Sequence, residues 1–260
     1  MTAAILVLVL VVMQYAQTYL GAGLAQNEFS TNQQFMATTG LQIDDVAWMM
    51  GRAQTIRYSS AYGELAVKPQ ILNYTMEVMY QGSSNWVLTN TFQTGIIAYN
   101  VPTKEYSLGN NYLHPISVTS NAFLQNGSTA PVAYVYSIQQ TPMSDGNFAR
   151  TVVVPTIRMM NTNVGSQNYT EFYLPLLVNG TSPGLSQSVT LVSQTVNQYV
   201  QSSVTQVRFN MTFPQAAGGF NSGFFPFKTT SVTVQVGSGA STSTVQLYTG
   251  VISVSIGLYS

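Results

Sequence analysis

The chain has 260 residues, of which only 6% are charged: eight basic and eight acidic side chains, with one histidine and no cysteine. Against a usual charged fraction of about 25%, this inventory leaves no basic patch for nucleic acid. It also excludes thiol catalysis, cysteine zinc sites and iron–sulfur clusters. Ser, Thr, Asn, Gln and Tyr replace the missing charge, which is not the composition of a disordered chain, and the length is ample for a buried core. With so few carboxylates, little protonation is linked to unfolding, and stability is expected to depend weakly on pH.

The first twenty residues, MTAAILVLVLVVMQYAQTYL, carry no charge, and Ala3 to Met13 includes no polar side chain. A helix rises about 1.5 Å per residue, so this stretch spans roughly 30 Å, the hydrocarbon thickness of a bilayer. A helix apolar all round must be buried in lipid or among similar helices. A secretory signal peptide would need a basic n-region, yet no Lys or Arg precedes Arg52. Three readings compete: such a signal, a permanent membrane anchor, or a processed N-terminus stored in the membrane that later packs into a polymer.

Residues 21–40 are softer, with Gly21, Gly23 and Gly40 among Gln, Asn and Thr. Leu20, Leu24, Phe29, Phe35 and Met36 still recur at helical spacing. They predict a continuing helix, bent or locally melted near Gly21–Gly23; a loop between two helices is the alternative. In residues 41–58, Leu41, Trp48, Met49, Ala53 and Ile56 predict that the helical pattern resumes. Asp44 and Asp45 come early there and Arg52 and Arg57 late, as a helix dipole favours.

Beyond Ser59, period-two runs separated by Gly, Pro, Asn and Ser predict successive strands. These cover Leu65 to Val67, Ile71 to Tyr80, Trp86 to Phe92, Gly95 to Val101 and Phe172 to Val178. Val132 to Ile138 and Ala149 to Met159 read as a hairpin with Asp145-Gly146 in its turn. Residues 183–202 break the rhythm: Leu185, Val189, Val192, Val196 and Tyr199/Val200 predict a helix, capped by Ser182 with Pro183 in its first turn. Its Val and Thr content keeps a β alternative open. Val207, Phe209, Met211 and Phe213 alternate with polar residues as a half-buried strand. Ser231 to Val236 and Val245 to Leu258 close the pattern, and no repeat of fixed period occurs. The expected fold is α+β: a long hydrophobic helix within residues 1–58, then a mainly antiparallel β-sandwich-like domain over 59–260.

The stretch AAILVLVLVV resembles the shared core helix of mature type IV pilins, especially archaeal ones, and of the related archaellins. Met1-Thr2 suits the first pair after removal of their basic leader. Ile5 stands where bacterial pilins usually carry Glu, which fits the archaeal pattern better. The resemblance covers roughly the first 55 residues. It implies an extracellular, membrane-stored subunit that polymerises with copies of itself. It also implies a prepilin peptidase, a secretion ATPase and a membrane platform protein as partners. Ile5, Leu6, Val7, Leu8, Val9, Leu10, Val11, Val12 and Met13 would then form the filament core.

Few other stretches point to function. Five N-x-Ser/Thr sequons, at Asn73, Asn126, Asn168, Asn179 and Asn210, are candidate N-glycan acceptors, with Asn210 favoured because Phe209 and Met211 point the other way. Phe220, Phe224, Phe225 and Phe227 sit among Gly and Pro in GGFNSGFFPF. They are a candidate subunit contact, or a loop folding its own rings inward. His114, the single histidine, reads as a structural hydrogen-bonding residue. Gly21-x-Gly23 follows a helix rather than a strand and is no dinucleotide site. No Gly-x-Ser-x-Gly elbow occurs. Asp145 and Asn147 fit a Ca²⁺ loop or a plain turn. No enzyme activity, metal or cofactor is expected beyond glycans. The leading expectation is a pilin-like filament subunit, with use in adhesion. The alternative is a monomeric surface binding protein held by a single N-terminal transmembrane helix.

Overall fold

The computed structural model describes residues 2–117, 121–165, 167–181, 187–237 and 241–257. It is α+β, one long helix followed by a large, mostly antiparallel sheet. Helix α1 runs unbroken from Thr2 to Ala47, 46 residues. No proline interrupts it, and Gly21 and Gly23 lie inside it without a bend being needed, although each Gly costs about 1 kcal/mol relative to Ala. Thr31, Thr38 and Thr39 hydroxyls donate back to the carbonyls of Asn27, Gln34 and Phe35, one turn earlier. The helix stops before Gly51, whose positive φ of 79° closes the turn into the first strand.

The helical pattern expected over residues 41–58 is therefore overturned beyond Ala47. Ala53–Arg57 form β1, which pairs antiparallel with Ser188–Thr212. Asp44 and Asp45 lie in the last turn of a helix, not the first, so a favourable macrodipole is not why they are there.

The other strands are β2 (Glu64–Tyr80), β3 (Val87–Pro102), β4 (Tyr112–Pro115), β5 (Leu124–Asn126), β6 (Ala133–Gln139), β7 (Phe148–Pro155), β8 (Ile157–Val164), β9 (Gln167–Asn179), β10 (Ser188–Thr212), β11 (Ser231–Gln235) and β12 (Ser243–Ile256). They form one 12-stranded sheet in the order β4-β6-β7-β3-β2-β10-β12-β9-β8-β5, with β1 and β11 attached to β10. Among the described residues only β12–β9 and β5–β8 pair in parallel. As expected, β6 and β7 are a hairpin, and Asp145-Gly146 lies in the turn between them.

The helix expected over 183–202 is strand from Ser188 onward, the start of the 25-residue β10. The proposed cap Ser182, Pro183 and Leu185 lie outside the described residues. Two bulges explain the misleading spacing, one between Ser193 and Thr195 and one between Gln201 and Val204. Each shifts the phase of the alternation, and a two-residue period broken twice imitates a helical one.

The sheet curls so that it has an inner core and a second core beneath the helix. Tyr134, Tyr136, Val152, Val154, Phe172, Phe209 and Leu247 pack in the first. Phe29, Met36, Ile43 and Val46 of α1 pack against Ala133, Val135, Val153, Val189 and Val254 in the second. Strands β6 and β7 thus bury both faces, which is why they read as near-continuous apolar runs.

Candidate functional site

Helix α1 divides into two halves by burial. From Ala25 onward, Ala25, Phe29, Phe35, Met36, Ile43, Val46 and Ala47 are buried, at the three- and four-residue steps of one helix face. Before Ala25 the described side chains are exposed. Ile5, Leu6, Val7, Leu8, Val9, Leu10, Val11, Val12 and Met13 are 47–67% exposed, and Tyr15, Tyr19, Leu20 and Leu24 are exposed as well. This is far more contiguous apolar surface than a soluble monomer presents. Among the described residues it is the one helix long and apolar enough to cross a membrane.

Three devices fix the docked half to the sheet. At its start, the Glu28 carboxylate accepts the backbone N–H groups of Ala61 (2.7 Å), Tyr62 (3.1 Å) and Gly63 (2.9 Å). The Tyr99 hydroxyl also donates to it. Burial raises the Glu28 pKa, but the bonds from Tyr99, Ala61, Gly63 and Tyr62 outweigh that and hold it below its ordinary 4.5. The buried Asn32 amide, one turn on, donates to the Ser59 carbonyl at 2.9 Å. In the middle, Gly40 lies against β6, where an added Cβ would stand 2.8 Å from Val135 Cγ2. At the end, Gly250 of β12 lies under the Ala47 carbonyl, 2.2 Å from where its own Cβ would be.

A polar and aromatic group closes the same end. Asp44 accepts Trp48 Nε1 and Arg158 Nη1, both at 2.7 Å. The Arg158 guanidinium lies 5.0 Å from the Tyr173 ring centre, with Trp48 edge-on to that ring at 5.2 Å. Tyr248 stacks on Tyr173 at 5.1 Å. Burial, with a bond to Glu171, pushes the Tyr173 hydroxyl up to about 12. Asp45 makes only a 3.7 Å contact with Arg52 at the surface.

Between Thr2 and Ile43 the sole ionisable carboxylate or base is Glu28, and it is turned into the 60–63 loop. Up to Leu41 the outward face of the docked half is Gln26, Asn27, Ser30, Thr31, Gln34, Thr38 and Leu41, all exposed and all uncharged, and Asp45 beyond them is exposed and charged.

Phe220, Phe224 and Phe225 are buried, and Phe227 packs beside them against the inner core. Tyr136 meets Phe224 and Phe225 at 6.1 and 6.4 Å. The loop folds its rings inward because only there can four of them leave water together, so they are not available as a subunit contact. His114 lies exposed on β4, its ring 6.2 Å from Tyr112. Asp145 is paired with Arg150 at 2.8 Å and approached by Lys68 at 3.7 Å, and two cations at one carboxylate disfavour Ca²⁺. Among the described residues no cluster of three His, Asp or Glu could hold a metal.

The sequons differ from one another. Asn126 and Asn179 are exposed, and Asn73, Asn168 and Asn210 are half-buried. Asn210 Nδ2 donates to Glu77 at 2.9 Å, and its Oδ1 accepts from Ser231 at 2.6 Å. The outward direction read from the alternation is right, but the amide is already engaged. Glu28, Gly40 and Gly250 were not singled out in the sequence for these contacts. A lone carboxylate in a stretch otherwise uncharged from Thr2 to Ile43 was the signal that could have found the first. Comparison of the chain with protein-family models, with curated proteins and with solved structures finds no match.

Proposed function

We propose that this chain is the structural subunit of an extracellular filament of the archaeal type IV pilus kind, polymerising through the free half of α1. The observation that carries the reading is the exposed run Ile5–Leu24 on a helix whose second half is rigidly docked. Bundling that run among copies would shield each large side chain from water, worth about 1.5–3 kcal/mol apiece. Relative to lipid, which is as apolar as Leu, the gain is near zero. Extraction from the membrane therefore calls for external work, the role of the secretion ATPase and platform protein that the resemblance implies after a prepilin peptidase has cut. Repetition of a head-to-tail contact gives an open helical polymer, with the sandwich-like β domains outside and their glycans and any adhesive surface facing solvent.

The same helix suits a monomeric anchored protein, and one experiment separates the two. Filaments sheared from the native cells are imaged by electron microscopy and their subunit is sequenced from its N-terminus. Filaments built of this chain and starting at Met1 support the proposal. Recovery of the chain only as single particles in the membrane fraction refutes it. A Val9→Glu variant is expected to abolish filaments while leaving the β domain folded.

A further inference from the structure

The sheet has an opening beside β10. On the side away from β12, this strand pairs with β1 from Ser188 to Val192 and with β2 from Val204 to Thr212. Among the described residues no strand pairs there with residues 194–202. On the other side Thr195 to Gln201 keep unbroken register with β12, so this is regular strand with one edge open. Residues 194–198 are exposed on both faces.

A second open edge belongs to β8. On one side β9 covers it from Arg158 to Val164, and on the other β5 covers only Ile157 to Met159. Residues 161–164 are exposed on both faces, Val164 to 63%. Natural sheet edges are commonly guarded by charge or proline. Accordingly β4 ends in His114-Pro115 and β1 in Arg57. Residues 160–164 and 194–202 include neither a charge nor a proline. Open rows of N–H and C=O groups take up a further extended strand through main-chain hydrogen bonds.

The two edges match in direction and in face. They bound one panel of four strands, β10-β12-β9-β8. β10 is antiparallel to β12, β12 is parallel to β9 and β9 is antiparallel to β8, so β10 and β8 run the same way. Partners across a ladder share a face, and Val200, Gln246, Glu171 and Met160 are linked in that manner. Val196 and Val200 therefore lie on the same face as Thr162 and Val164. A copy moved sideways without being turned over brings its β8 to the β10 opening as a parallel strand, with that face continuous. Exposed β-branched side chains then meet across the junction. Strand β11 is uncharged as well, but Val232 and Val234 hold it against the inner core, whereas the end of β8 stands clear.

We infer that β8 of one copy adds to the open edge of β10 in the next, so that the sheet continues from subunit to subunit. The contact is heterologous and leaves one edge free at each end of the series, as an open polymer needs. This rests on the filament reading and names the surfaces by which the outer domains meet.

The chain has no cysteine, so introduced thiols are the only ones present. Filaments are made from variants pairing Thr162→Cys or Val164→Cys with Val196→Cys or Val200→Cys, and treated with a short bis-maleimide. At least one double variant should give a ladder of dimers, trimers and longer species. The matching single variants should stay monomeric alone and give dimers only when mixed. Filaments in which no pair cross-links, or in which one single variant cross-links to itself, overturn the inference and leave the filament reading standing. Absence of filaments from the unsubstituted chain overturns both. Val200→Lys, which places a charge at the open edge, should raise the critical concentration for assembly about five-fold and leave the subunit's own melting temperature unchanged. An unchanged critical concentration would refute the strand addition.

Discussion

Replacing Glu28 by Gln tests how the helix is held to its domain. The carboxylate receives three backbone N–H groups at 2.7–3.1 Å and the hydroxyl of Tyr99. An amide keeps one acceptor oxygen and turns an NH₂ group toward donors that need acceptors. Hydrogen bonds to a charged group are worth about 1.5–3 kcal/mol each, and losing them leaves the donors unpaired. Glu28 is half-buried, so water can serve part of what is lost. A net cost of about 2–4 kcal/mol follows, or roughly 5–15 °C in melting temperature for a chain of this size. The carboxyl pKa is held below 4.5 in the folded state. Its stabilisation is thus fully present above pH 4.5 and is lost as pH falls through the lower folded value. Thermal unfolding of both proteins by circular dichroism, at neutral pH and at a series of acid values, measures this. The gap between them should be widest at neutrality and shrink below pH 4.5. A gap under about 1 kcal/mol, or one independent of pH, would refute the staple.

Gly250→Ala forces a methyl group to within 2.2 Å of the Ala47 carbonyl; it should cost about 1–3 kcal/mol, seen as a lower denaturant midpoint. Asp44→Ala strips the carboxylate from the largely buried Arg158 and should cost about 2–4 kcal/mol. Asp45→Ala, at an exposed 3.7 Å contact, should change stability by less than about 0.5 kcal/mol; equal effects would count against the assignment. Peptide mapping of the native protein should find glycan mass at Asn126 and Asn179 and an unmodified Asn210, whose amide already bonds Glu77.

The helix was legible because its signal is gross. A helix satisfies the backbone of an uncharged apolar run within the run itself, and the pattern carried through Gly21 and Gly23 to Met36. The half-buried strand at Val207–Met211 was legible for the complementary reason, since one of its faces is buried and the other is not. Phase was the weak point. The bulges of β10 turned strand into apparent helix, and Trp48, Ala53 and Ile56 kept an apparent helical step across a turn and a new strand. What the sequence withheld altogether were contacts between residues distant along the chain. That Glu28 meets Gly63, or that Gly250 makes room for Ala47, depends on how the sheet curls, and no local pattern encodes it.

The docking of α1 also has a mechanical consequence. Tension applied along the free half of the helix would not peel the domain away contact by contact. It would meet the Glu28 loop, the Gly40–Val135 seat and the Ala47–Gly250 seat as a series of stops along the direction of pull. Each would be loaded in shear at once with the side chains packed between them. A junction of that form resists force by sharing it, and under tension the β domain would be carried with its helix as a single body.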